Sequence, residues 1–160
     1  MKGDIIPPDN WKYFNCEAKN YADFPFHQLI QDECKQLETW LSQLMDVSDP
    51  DDLNILIFKI TRKGKYVAVQ NNIDWDHSSP YIYYKSSTHN DWKIFDYDNF
   101  LEYNASLIEY ISTLGITGYI HLKYLLILLS YISKDLASIF FQHTLLKIVE
   151  ILFYQNSSLD

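Results

Sequence analysis

Glycine and proline are scarce. Four glycines and five prolines among 160 residues leave little material for flexible linkers, so a single domain spanning 1–160 is expected. Neither Gly-x-Gly-x-x-Gly nor Gly-x-x-x-x-Gly-Lys occurs, which excludes the common glycine-rich phosphate loops. Gly-x-Ser-x-Gly and His-Glu-x-x-His are missing too, so the usual serine-hydrolase and zinc-peptidase signatures fail. Cys16 and Cys34 are the only cysteines; with no second pair or histidine at zinc spacing, two reduced, buried or semi-buried thiols are expected. Met1 to Phe14 lacks the apolar core of a signal peptide, and the longest apolar run, Tyr124 to Ile132, is about half of a membrane span. A cytoplasmic protein with no membrane partner is the expectation.

What is present is acid and aromatic. The net charge of −8 repels phosphate backbones and anionic membranes, so a basic protein partner is favoured over direct nucleic-acid binding. Thirteen tyrosines suit a binding surface, because ring and hydroxyl serve an interface together. The nearest approach to a metal constellation is Asp74-Trp75-Asp76-His77 with His89-Asn90-Asp91. These groups flank one expected strand at opposite ends, roughly 17 Å apart, too far for one ion. No metal, cofactor or catalytic residue is expected, since no histidine stands at a recognisable spacing from a nucleophile.

Residues 1–22 show no period, and Pro7-Pro8 keeps the chain extended, so they read as an aromatic arm pinned by Trp11, Tyr13 and Phe14. A helix is expected from Asp23 to about Met45, with Phe26, Leu29, Ile30, Cys34, Leu37, Trp40, Leu41 and Leu44 inward and Glu38 on a solvated face. Four strands follow at Leu53–Ile60, Tyr66–Gln70, Tyr81–Lys85 and Trp92–Tyr97. Three helices close the chain: one ended by Gly115, one from Thr117 to about Ile132 buried around Leu125 to Leu129, and one from Ser133 or Asp135 to about Tyr154. Residues 156–160 are expected to fray. The class is α+β, with a four-stranded antiparallel meander.

A meander alternates its strand ends between two edges of the sheet. Asp46, Asp49, Asp51, Asp52, Asp74, Asp76, Asp96 and Asp98 would then gather at one end, with Trp75, Tyr81 and Tyr97 among them, and Arg62, Lys63, Lys65, His89 and Lys93 at the other. Clustered like charge works against folding unless a partner uses it, and aromatic anchors among charges suit a protein interface. In its acidity, its tyrosines and its loops DVSDPDD, DWD and DYD, the chain resembles the bacterial toxin immunity proteins of contact-dependent inhibition systems. That resemblance implies a non-enzymatic inhibitor whose aspartates mimic phosphates at the basic site of a nuclease toxin. A secretion chaperone and a small enzyme with an unrecognised site are the alternatives.

Overall fold

The computed structural model describes residues 5–31 and 33–131. One mixed sheet contains β1 (Phe14–Tyr21), β2 (Leu53–Ile60), β3 (Gly64–Gln70), β4 (Tyr81–Tyr84) and β5 (Trp92–Asp96), in the order β1-β2-β3-β5-β4. Among the described residues two helical segments accompany it, α1 (Lys35–Asp46) and α2 (Tyr97–Tyr131), with a 3-10 turn at Phe26–Ile30. The class is α+β, but the four-stranded meander is corrected to a five-stranded mixed sheet.

The first correction is β1, which occupies the second half of the expected aromatic arm. Phe14, Cys16 and Ala18 take one face, and Asn15, Glu17, Lys19 and Tyr21 the other, the two-residue alternation of a strand. β1 pairs parallel with β2, Phe14 against Leu53 through Tyr21 against Ile60. A parallel pair needs a crossover connection, and α1 supplies it. The second correction is strand order. β5 lies between β3 and β4 and runs antiparallel to both, so the connection 71–80 must travel the length of the sheet. It is held there by buried Ile73 and Trp75, the latter donating its indole N–H to Gln70 O at 2.8 Å.

The expected helix from Asp23 to Met45 begins only at Lys35. Phe24 and Phe26 both pack inward, on Trp40 and Phe58 and on Tyr66 respectively, and residues two apart cannot share one face of an α-helix. Ile30 is consequently outside, 84% exposed. From Cys34 onward the expected face holds: Leu37, Trp40, Leu41 and Leu44 cover Leu56, Phe58, Ile60, Ala68, Trp92 and Ile94. On the opposite face of the sheet Phe14, Ile55, Ile57 and Val67 meet Phe100, Leu101 and Ile108 of α2 around an apolar cavity of about 260 Å³.

The helices expected before and after Gly115 are one segment broken at that glycine (φ 78°, ψ 164°). The third, ending near Tyr154, and the tail 156–160 lie outside the described residues. Burial of the middle helix is also corrected, since Leu125, Ile127 and Leu128 are exposed. By length and composition alone Tyr97–Ser130 is long and apolar enough to cross a membrane. The chain divides into two compact units, Met1–Tyr119 and Ile120–Asp160, and every feature below belongs to the first.

Candidate active site

The new strand order redistributes the eight aspartates. Asp46, Asp49, Asp51 and Asp52 stay together in the link between α1 and β2, where β2 begins. Asp96 and Asp98 stand at the opposite end, because β5 finishes beside Tyr66, and Lys65 bonds Asp98 at 2.7 Å over the ring of Tyr97. Asp74, Trp75 and Asp76 ride the crossing connection, and Tyr81 opens β4. Trp75 is 2% exposed and packs edge-on against Phe100, so it is a core residue. Several of these carboxylates serve the backbone. Asp51 Oδ1 accepts the Thr117 N–H at 3.2 Å and its hydroxyl, Asp52 Oδ2 accepts the Asp49 N–H at 2.8 Å, and Asp76 Oδ1 accepts the Ser78 N–H at 2.7 Å. Hydrogen bonds from Ser78 hold the Asp76 carboxyl below its ordinary range.

An acid and a lysine two residues apart occur three times: Glu17-Ala18-Lys19, Glu33-Cys34-Lys35 and Asp91-Trp92-Lys93. Only the first lies wholly within a strand. Alternation puts Glu17 and Lys19 on the same face of β1, where Lys19 Nζ donates to Glu17 Oε1 at 2.5 Å. Both side chains are sheltered, at 16% and 15% exposure, yet neither is sealed from solvent. β1 is an edge strand, so this pair stands beside one paired neighbour, β2, with Glu17 opposite Leu56 and Lys19 opposite Phe58.

A buried polar ladder places this strand. Asn15 Nδ2 donates to Leu44 O of α1 and to Asn54 Oδ1 of β2, both at 2.8 Å, while Asn54 Nδ2 donates to Asp52 O at 3.1 Å. Asn15 and Glu17 share a face, so the bond to α1 fixes the height at which the carboxylate sits above the sheet. At the other end of the pair Tyr21 rests on Trp40, ring centroids 4.9 Å apart. Glu17 and Lys19 thus stand between two residues of β1, Asn15 and Tyr21, that contact α1.

The other two tripeptides are arranged differently. Glu33 and Lys35 flank the start of α1, and Glu33 accepts a long bond from Ser87 Oγ at 3.4 Å. Asp91 precedes β5 and accepts the Tyr83 hydroxyl, while Lys93 turns to His77 Nε2 at 2.9 Å. Burial pushes the Lys93 ammonium below its ordinary range, against the charge of Asp74. Glu38, expected on a solvated face, is 7% exposed beneath the loop between β4 and β5. It accepts the hydroxyls of Tyr84 at 2.6 Å and of Ser86 and Thr88 at 2.9 Å, with the Ser87 N–H at 3.2 Å, and is fully used as a structural anchor.

Glu17 and Lys19 were missed because residues 1–22 read as aperiodic. The signal that finds them is the alternation from Phe14 to Lys19 together with the acid-x-lysine spacing. No curated protein and no solved structure matches the chain. A family model does match, over residues 1–110, and its description is "Phage putative PDDEXK endonuclease". The matched residues include two Pro-Asp pairs, Pro8-Asp9 and Pro50-Asp51, and all three acid-x-lysine tripeptides. The match supports a nuclease relationship and overturns the reading as a non-enzymatic immunity protein or toxin inhibitor. With more than half of its length matched, the chain belongs to this family of phage PDDEXK endonucleases.

Proposed function

We propose that the protein cleaves nucleic-acid phosphodiester bonds and that Glu17 and Lys19 act on the reacting phosphate. The observation that carries this reading is the acid-x-lysine pair on one face of β1, ion-paired and held by α1, inside the matched residues. The pair sets a carboxylate, able to accept a proton from water, beside an ammonium, able to hold a phosphate oxygen. In the reaction a water oxygen bonds to phosphorus and one ester P–O bond breaks. The water's proton passes to the carboxylate, and the departing oxygen is protonated from solvent. An incoming phosphate would compete with Glu17 for the Lys19 ammonium, which frees the carboxylate as the substrate arrives.

Phosphodiester cleavage often draws on a divalent cation, which neutralises developing charge. Among the described residues no group of three or more His, Cys, Asp and Glu side chains gathers to hold one. Magnesium is commonly bound by one or two carboxylates together with substrate phosphates. Glu17 offers one such ligand, and the described residues by themselves do not make a cation site.

The test is cleavage of plasmid, single-stranded DNA and RNA by the purified chain in buffers with magnesium or manganese. Glu17→Gln and Lys19→Ala should each lower the rate by about a hundredfold or more with unchanged melting temperature. Glu33→Gln and Lys35→Ala, from the tripeptide outside the strands, should cleave normally. Wild-type rates in both β1 variants would sink the assignment.

A further inference from the structure

The hairpin joining β2 to β3 carries Lys59, Arg62, Lys63 and Lys65 within seven residues. Lys59 and Lys65 stand directly opposite one another in the β2–β3 register, and like charges so placed are destabilising. Arg62 adopts φ 62°, a left-handed backbone that costs a side-chain-bearing residue free energy and that glycine takes without strain. Lys63 pairs with Asp23 at 2.5 Å and Lys65 with Asp98 at 2.7 Å, but all four groups are about half exposed or more, so those pairs are weak. Lys59 and Arg62 make no ion pair with any described residue. Folding alone gives no reason to concentrate positive charge here at such cost.

From the register and these charges we infer that the β2–β3 hairpin grips the sugar-phosphate backbone of the nucleic acid a few base pairs from the bond being cut. This rests on the proposed nuclease activity and adds to it the surface that holds the substrate. The hairpin is tied to the end of the active-site strand: Thr61 N–H donates to Tyr21 O at 2.9 Å. Glu17 lies four residues back along β1, about 13 Å at a strand's rise, on the α1 face of the sheet, while Lys59 and Lys65 are on the α2 face, so a duplex reaching both passes over the hairpin end of the sheet. One strand of a duplex advances about 3.4 Å per nucleotide, so the contact falls roughly four base pairs from the reacting phosphate. The acidic link at Asp46, Asp49, Asp51 and Asp52 lies at the opposite end of β2 and repels the same backbone more strongly than the hairpin end, where Asp23, Asp96 and Asp98 are offset by four cations.

The experiment is fluorescence anisotropy of a labelled 20-base-pair duplex against salt concentration, using the full chain. Lys59→Ala and Arg62→Gly should each weaken binding by several fold and lower the slope of log affinity against log salt by about 1. Arg62→Gly should at the same time resist urea as well as or better than wild type, since glycine relieves the backbone while removing the charge. A fold defect cannot produce that combination. Lys35→Ala should bind as wild type.

Hairpin variants with unchanged affinity and slope overturn the inference, as does wild-type protein that binds poly-glutamate as tightly as the duplex. The two readings separate cleanly. If Glu17→Gln abolishes cleavage while the hairpin variants bind normally, only the hairpin assignment fails. If the hairpin variants lose binding while Glu17→Gln cleaves normally, only the catalytic assignment fails.

Discussion

Glu38 shows how far a single side chain departs from its apparent place on a helical wheel. Burial pushes its carboxyl up, but hydrogen bonds from Tyr84, Thr88, Ser86 and the Ser87 N–H outweigh that and hold it below its ordinary 4.5. A carboxyl depressed by folding contributes stability that is complete above its unfolded value and is lost as pH falls through the folded one. Urea unfolding of wild type should therefore weaken below about pH 4.5, and Glu38→Gln should be less stable at pH 7 while losing less on acidification. Equal pH profiles for the two proteins would exclude the role given to Glu38. Nothing in the helical pattern betrays this residue, because its partners at 84–88 come from a loop some fifty residues away. Glu17 and Lys19 were legible by comparison, since alternation and spacing are both local. The prolines at 7 and 8 and the lack of a long apolar run drew attention away from them.

Elements fared according to how local their causes are. β2 to β5 lie within two residues of the expected strands, because turn residues and β-branched runs mark them. Their order was harder, but connection length held a clue. A ten-residue link from Gln70 to Tyr81 is longer than a hairpin turn needs and can span a sheet, whereas the Arg62-Lys63-Gly64 turn cannot. Gly115 was recognised as a stop; the neighbours that require it were not visible. Its φ is positive, and an added Cβ would come within 3.3 Å of both Asp51 Cβ and Tyr13 Cδ1. Gly115→Ala should cost about 1–3 kcal/mol in urea unfolding. Asp51→Ala should cost about 1 kcal/mol by removing the cap that receives the Thr117 N–H. A Gly115→Ala protein as stable as wild type would mean that the break in α2 is not imposed there.

For the molecule as a whole, net charge says little about where charge is concentrated. A charge of −8 describes the far field, while a nucleic-acid substrate would be met by a hairpin whose local charge has the other sign. Fold class followed from composition and period, and the family followed from a match over residues 1–110 that neither reveals. The parallel pairing of β1 with β2 also has a kinetic side. Asn15 and Asn54, which lock the two strands, are 39 residues apart, whereas β2 and β3 are joined by a tight hairpin. Closing the longer loop sacrifices more chain entropy before any contact rewards it, so β1 should dock after the β2–β3 hairpin has formed. Ala18→Gly in β1 should then mainly hasten unfolding, and Ala68→Gly in β3 should slow folding. The opposite pattern in stopped-flow chevrons would reverse that order. Although β1 leaves the ribosome first, the Glu17–Lys19 pair should take its place beside α1 only once the rest of the sheet can receive it, so a nascent or half-folded chain should present no such pair.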